Sequence, residues 1–201
     1  MHLVCLDLEG VLIPEIWINF AEKTGIEELR LTTRDIPNYS VLMKKRIGIL
    51  KENNLKLADI QEVIGTMDPI PGAAEFMNNL REKTQVVILS DTFTQFAKPM
   101  MKKLSWPTIF CNSLVIDEND CVVDFALRQQ DGKRKAVEGF HSMGLKVIAA
   151  GDSYNDLTMI RKADAGVLYC PPDNIVQENP DLPVAVNYKQ LMMEIDKNRD
   201  L

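Results

Sequence analysis

The chain has 201 residues, of which 46% are hydrophobic and 26% charged, a balance that excludes disorder and suits one α/β core carrying an inserted lobe better than two independent domains. Lys plus Arg number 23 against 29 for Asp plus Glu, and the resulting net charge of −6 disfavours nucleic acid and anionic membranes as partners. No apolar run approaches the ~20 residues that span a bilayer, and the start lacks the basic stretch of a signal peptide, so the expected location is the cytoplasm.

Leu3 to Leu8 is an apolar run broken by one acid, Asp7. This is the pattern of a strand buried on both faces of a parallel sheet, with the acid near its C-terminal end. From about Pro14 to Pro69 the strand signal disappears, and apolar residues recur at helical spacing: Ile16, Trp17, Phe20 and Ala21, then Val41, Leu42, Met43, Ile47 and Leu50. The stretch is far longer than a βα loop of about 2 to 6 residues and reads as an inserted helical lobe, the kind of insertion that forms lids. A helical pattern from Pro71 to Lys83 leads to a second buried strand, Val86 to Leu89, which ends in Ser90-Asp91. A further helix is expected from Phe93 to Leu104. Val115 to Val123 alternates around Asp117-Glu118-Asn119-Asp120 and reads as a hairpin.

A helix from Lys133 to Met143 and a third buried strand, Lys146 to Ala150, then precede Gly151-Asp152 and a helix from Asn155 to Ala163. After Cys170-Pro171-Pro172 the pattern predicts a short helix near Asn174 to Asn179, a short strand at Val184 to Val186 and a final helix from Tyr188. The alternation predicts an α/β fold: a doubly wound, Rossmann-like parallel sheet from residues 1–13 and 70–201, with residues 14–69 inserted as a helical cap. Such sheets bind ligands beyond the carboxyl ends of their strands, where the three polar strand ends converge. The four cysteines, Cys5, Cys111, Cys121 and Cys170, lack the spacing of a zinc or redox site and are read as reduced.

In Asp7-Leu8-Glu9-Gly10, residues two apart on an extended segment face one space, and Gly10 lets the backbone turn away. Two acids in one site need a counter-charge. A metal supplies it, and Asp152 and Asp156 offer further oxygen ligands from another strand end. Oxygen ligands without His or Cys favour magnesium over zinc. Ser90 offers a hydroxyl and a neighbouring backbone N–H to phosphate oxygens, and Lys133 an ammonium at the same sheet edge. Together these are the parts of a phosphoryl-transfer site.

In order, Asp7-x-Glu9, Ser90 after an apolar strand, Lys133 opening a helix and Gly151-Asp152-x-x-Asn155-Asp156 resemble the four motifs of the haloacid dehalogenase (HAD) superfamily of aspartate-nucleophile phosphatases. The helical lobe resembles that of the phosphoserine phosphatases. The resemblance implies Asp7 as nucleophile, Glu9 as general acid/base and Lys133 as the phosphate-neutralising cation. It also implies magnesium held by Asp7, the Glu9 backbone carbonyl and Asp152, with Asp156 in support and Asn155 against substrate or phosphate. Glu15 and Arg46 match the cap residues that hold the amino and carboxylate groups of phosphoserine. The chain departs from the usual pattern twice, with Glu9 for aspartate and Ser90-Asp91-Thr92 for a Ser-Gly-Gly-like stretch. Both features look like the bacterial branch that combines phosphoserine phosphatase with phosphoserine:homoserine phosphotransferase activity, in which homoserine would accept the phosphoryl group on the route to threonine. The implied partners are therefore small molecules, and homo-oligomerisation leaves no readable mark.

Taken singly, each residue has a plainer reading. Asp7 could cap a turn, Arg134 or Lys135 could replace Lys133, Glu15 and Arg46 could be surface charges, Asp91 reads equally as a substrate contact or as a cap of the following helix, and Trp17, Phe20 and Met43 read as lobe core. The rival functions are a phosphatase for another small phosphorylated metabolite, a phospho-accepting receiver domain and a silent binding protein.

Overall fold

The computed structural model describes residues 1–33, 35, 36 and 38–199. Arg34 and Pro37, within the span assigned to the cap, and Asp200 and Leu201, at the chain end, lie outside the described residues.

The sheet is doubly wound. Its strands are β1 (His2–Leu6), β2 (Gln85–Phe93), β3 (Thr108–Ile116), β4 (Val122–Ala126), β5 (Lys146–Gly151), β6 (Ala165–Tyr169) and β7 (Val184–Ala185), in the order β4-β3-β2-β1-β5-β6-β7. All neighbours pair in parallel except β3 and β4. β1 is central, with Leu3 to Leu6 opposite Gln85 to Ile88 on one side and Val147 to Ala150 on the other. The winding direction reverses there, which opens the crevice beyond the carboxyl ends of β1 and β5.

Period-two alternation sorts the strand residues onto two buried faces. Val4, Leu6, Val86, Ile88, Ile148, Ala150 and Val167 pack on one side with α4 (Ala73–Lys83), α5 (Thr94–Lys103) and α9 (Tyr188–Arg199). Leu3, Cys5, Val87, Leu89, Val147, Ala149 and Leu168 pack on the other with α6 (Gly132–Ser142), α7 (Leu157–Lys162) and α8 (Asp173–Glu178). Burial on both faces is why these strands read as unbroken apolar runs.

Between β1 and α4 the chain forms α1 (Ile16–Thr24), a short 3-10 turn (Glu27–Arg30), α2 (Tyr39–Glu52) and α3 (Leu57–Thr66). Their apolar stripes, including Ile16, Phe20, Met43, Leu50, Ile60 and Ile64, merge with the α4/α5 side of the core. α3 is pinned to the sheet: the N–H groups of Leu57 and Ala58 donate to the backbone and side-chain oxygens of Asp120 at 3.0 and 2.9 Å.

Three elements differ from expectation. β6 ends in no acid or serine like those that mark the other three buried strands, and it was not read as a strand. The expected hairpin at Val115–Val123 is the far end of a longer unit, because β3 begins at Thr108 as a full member of the sheet. The helix expected from Asn155 begins as a 3-10 turn (Tyr154–Asp156) and becomes α-helical only at Leu157, because the loop is committed to bonds with the Asp156 carboxylate.

Gly166 on β6 faces Ile160 of α7, and a Cβ there would lie 2.5 Å from the Ile160 Cγ2 and 2.7 Å from its carbonyl oxygen. Gly166→Ala should therefore lower the unfolding free energy by about 1–3 kcal/mol in urea titration, since the backbone atom has no rotamer to yield.

Candidate active site

The site forms at the switch point. The Asp7 N–H donates to the Ala150 carbonyl at 3.0 Å, extending the β1–β5 pairing by one residue and fixing the carboxylate just past the strand. The next segment turns sharply at Gly10, whose φ is +77°, and a Cβ on it would meet Asp152 Cγ at 2.5 Å. Glycine is required both for that backbone conformation and for the approach of the two acids. Gly151 faces the same constraint from Asp156, with a Cβ-to-Cγ distance of 2.3 Å.

Lys133, in the first turn of α6, joins the two strand ends. Its ammonium lies 3.0 Å from Asp7 Oδ1 and 2.6 Å from Asp156 Oδ1, with Asp91 at 3.8 Å. Lys133 is 4% exposed and Asp156 is 0% exposed. Arg134 turns outward to Asp131 and Glu138, and Lys135 is exposed, so Lys133 alone of the three reaches the site. The second Asp156 oxygen accepts the N–H groups of Asp152 and Ser153, each at 3.1 Å, which shapes the loop that presents Asp152.

Burial, then the charge of Asp156, pushes the Asp7 carboxyl up, and Lys133 opposes both. Burial disfavours the Lys133 charge as well, but Asp156, Asp7 and Asp91 outweigh it and hold the ammonium well above its ordinary range. Burial and Asp156 raise Asp152 to about 7. Oxygens of Asp7, Asp152 and Asp156 lie within 4.8 Å of one another. Three carboxylates against one ammonium leave a local excess of negative charge, and the all-oxygen donor set suits a hard divalent cation.

The cap supplies the opposite wall. Glu9 Oε2 accepts the Ile16 N–H at 2.9 Å, and burial raises the Glu9 carboxyl. Glu15 precedes α1, and burial, then the neighbouring Glu9, pushes its carboxyl up to about 7. Arg46, on α2, is buried with its guanidinium 4.6 Å above the Trp17 ring, and it donates to the Leu31 carbonyl at 2.8 Å. Its Nε has no partner among the described residues. Burial brings the guanidinium down to about 10, while Glu9, Tyr39 and Glu15 support its charge.

Asp7, Glu9, Glu15, Arg46, Ser90, Asp91, Lys133, Asp152 and Asn155 all line one cavity of about 380 Å³. Of the expected site residues only Asp156 lies behind the wall. Ser90 and Asp91 fall inside β2, which runs on to Phe93. Asp91 does not cap α5: its carboxylate accepts from Asn155 Nδ2 at 2.9 Å. A wider cleft of about 770 Å³ adjoins across Asp91, Lys133 and Asn155.

Residue-by-residue reading missed several wall residues, among them Trp17, Tyr39 and Thr92. Trp17, taken as lobe core, is buried but lines the cavity under Arg46, whereas Phe20 and Met43 are core. Tyr39 starts α2, and its hydroxyl donates to the Asp91 carbonyl at 2.9 Å. Thr92 lines the wall beside Ser90. Trp17 and Tyr39 carry no motif signal, since an aromatic on a helical stripe reads as core until the fold shows what it faces, and Thr92 stood out only as part of the stretch that departs from the family pattern after Ser90.

A family model of haloacid dehalogenase-like hydrolases matches residues 1–164, and the chain belongs to that family. It is 57% identical over 203 residues to a phosphoserine phosphatase of Pseudomonas syringae pv. tomato, covering 100% of this chain and 86% of the relative. It is 56% identical over 197 residues to phosphoserine phosphatase ThrH of Pseudomonas aeruginosa, covering 98% and 96%. The fold is similar to a crystal structure of phosphoserine phosphatase in apo form, with a TM-score of 0.78 at 22% identity over 96% of this chain and 98% of that one. No helix among the described residues is long and apolar enough to cross a membrane.

The raised carboxyls set a pH dependence. Between the ordinary aspartate value of 3.8 and about 7, folded Asp152 keeps a proton that the unfolded chain has released, so unfolding becomes easier as pH rises through that window. Glu15 acts the same way from 4.5 to about 7. In metal-free buffer these groups should lower the melting temperature between about pH 5 and pH 7, and Asp152→Asn should reduce that slope.

Proposed function

We propose that this chain is a magnesium-dependent phosphoserine phosphatase that also passes the phosphoryl group to homoserine, acting through an aspartyl-phosphate on Asp7 and linking serine and threonine biosynthesis. The carrying observation is that one cavity holds Asp7, Ser90 and Lys133 together with an acid and a base of the cap, Glu15 and Arg46, in the arrangement an amino-acid phosphate needs. Full-length identity to relatives named phosphoserine phosphatase, one of them ThrH, supports the substrate and the branch.

In this reading Arg46 takes the substrate carboxylate and Glu15 its ammonium. The ammonium favours the ionised form of Glu15, which burial alone disfavours. Ser90 and Lys133 hold the phosphate. The carboxylates of Asp7 and Asp152, with the Glu9 backbone carbonyl, would hold magnesium, supported by Asp156. Bound there, magnesium neutralises charge on the phosphoryl oxygens and on the acids.

Asp7 attacks phosphorus in line, a bond forms from its carboxylate oxygen, and the bond to the serine oxygen breaks. Glu9, whose burial favours its protonated form, gives its proton to the departing oxygen. The resulting Glu9 carboxylate then takes a proton from the incoming hydroxyl, which breaks the aspartyl-phosphate. Water gives phosphate, and homoserine gives O-phosphohomoserine. Homoserine differs from serine by one methylene, about 0.8 kcal/mol of burial, so the Glu15 and Arg46 contacts need not discriminate strongly.

The test incubates the protein with phosphoserine and magnesium, with and without homoserine, and follows free phosphate and phosphohomoserine. Both products are expected, and chelation should abolish both. Asp7→Asn should reduce both to background; transfer surviving without hydrolysis would overturn the shared phosphoenzyme. Glu9→Gln should lower kcat/KM for phosphoserine by about 10² to 10⁴. Glu9→Asp should change the ratio of transfer to hydrolysis, and an unchanged ratio would remove the acceptor-side role of the longer side chain.

A further inference from the structure

Asp131 stands immediately before α6, where an aspartate ordinarily accepts backbone N–H groups of the first turn. Here its side chain accepts none of them. Its backbone lies in the left-handed region, with φ at +51°, a conformation that costs a non-glycine residue free energy and persists where the surroundings demand it. The carboxylate is turned instead to two other partners. One oxygen accepts the Thr158 hydroxyl at 3.0 Å, and the other accepts Arg134 Nε.

Thr158 lies two residues past Asp156, at the start of α7, and Arg134 follows Lys133 in the first turn of α6. Asp131 therefore joins the same two segments that Lys133 and Asp156 join at 2.6 Å. Asp131 and Thr158 line the wider cleft and not the catalytic cavity, so they reach the chemistry only through what they hold. The apolar residues of the two helices, Val137, Phe140, Met159 and Ile160, belong to the core on the sheet side, and Val137 is a full turn beyond Lys133.

A lysine ammonium rides on a flexible four-carbon stem, so its place at a developing charge depends on how its backbone is fixed, and a shift of about 1 Å can lower a rate by about 10²-fold. Arg134 is the neighbouring cation. Bound to Asp131 and Glu138 it faces away from the site, and holding it there keeps the first turn rotated with Lys133 inward.

We propose that Asp131 is a positioning residue: by holding Thr158 on α7 and Arg134 on its own helix, it sets the first turn of α6 against the Asp152–Asp156 loop and so fixes where the Lys133 ammonium meets the phosphoryl group. This role rests on the proposed action of Lys133 on the phosphate.

Phosphoserine hydrolysis with magnesium, and its inhibition by inorganic phosphate and by free serine, test the role. Asp131→Gly keeps the left-handed backbone and removes the carboxylate. It should lower kcat/KM about tenfold and weaken inhibition by phosphate about fivefold, while inhibition by free serine, held by the cap, stays within about twofold of the parent. Thr158→Val should lower kcat/KM about threefold, and Thr158→Ser, which keeps the hydroxyl, should restore it. Combining Asp131→Gly with Thr158→Val should lose no more than about tenfold in all, because both changes remove the same bond. Losses that multiply in the double variant, a loss that Thr158→Ser does not restore, inhibition by phosphate and free serine weakening together, or unchanged kinetics each overturn the role and leave the proposed function standing. Should Asp131→Gly not fold, Thr158→Val, at an exposed position, decides by the same readings. A parent protein that does not turn over phosphoserine overturns the proposed function, and this role with it.

Discussion

The structure turns on one buried ammonium. Lys133 sits among Asp7, Asp156 and Asp91, and removing it would leave the buried Asp7 and Asp156 carboxylates facing each other without a cation between them. The contact joins α6 to the ends of β1 and β5, so the charge balance of the site and the closure of the sheet's carboxyl edge are one problem. Asp156 spends one oxygen on Lys133 and the other on the loop N–H groups. That division is why Asp152 is held forward while Asp156 lies behind. The glycines at 10 and 151 follow from the same crowding, since carboxylates brought this close leave no room for another carbon.

A consequence for reactivity is that the site is over-acidic before anything binds. Burial raises Asp7, Glu9, Glu15 and Asp152 together. Each group charges more easily when a cation arrives, whether a metal near Asp152 or an ammonium near Glu15. A cation bound at either end of the cavity would thereby release protons.

Much of this was legible in the residues because buried parallel strands declare themselves. The runs at Leu3, Val86 and Lys146 each end in the polar residue that the fold brings to the crevice, and the apolar spacing after Pro14 marks the helices over it. The converse also held: β6 ends in no acid or serine and went unread, and β3 was seen only at its hairpin end. Lys133 could not be separated from Arg134 and Lys135 by local pattern, because helix-start charges look alike until burial divides them. Tyr39 was invisible for a related reason. Its importance lies in a pair far apart in the chain, Tyr39 with Asp91, and periodicity carries no record of such a partner.

Tyr39 also bears on how the roof of the cavity is held. At one edge, Asp120 holds α3 through successive backbone N–H groups at the helix start. At the other, the beginning of α2 meets the core through the Tyr39 hydroxyl on the Asp91 carbonyl, and a neutral bond of this kind contributes about 1 kcal/mol. Beside its apolar packing, the roof is thus pinned at one edge by two backbone N–H bonds and latched at the other by one hydroxyl. The latch lands on the residue that also holds Asn155, at the boundary with the wider cleft. Tyr39, Asp91 and Asn155 line both spaces, so the latch borders the cavity and the cleft at once.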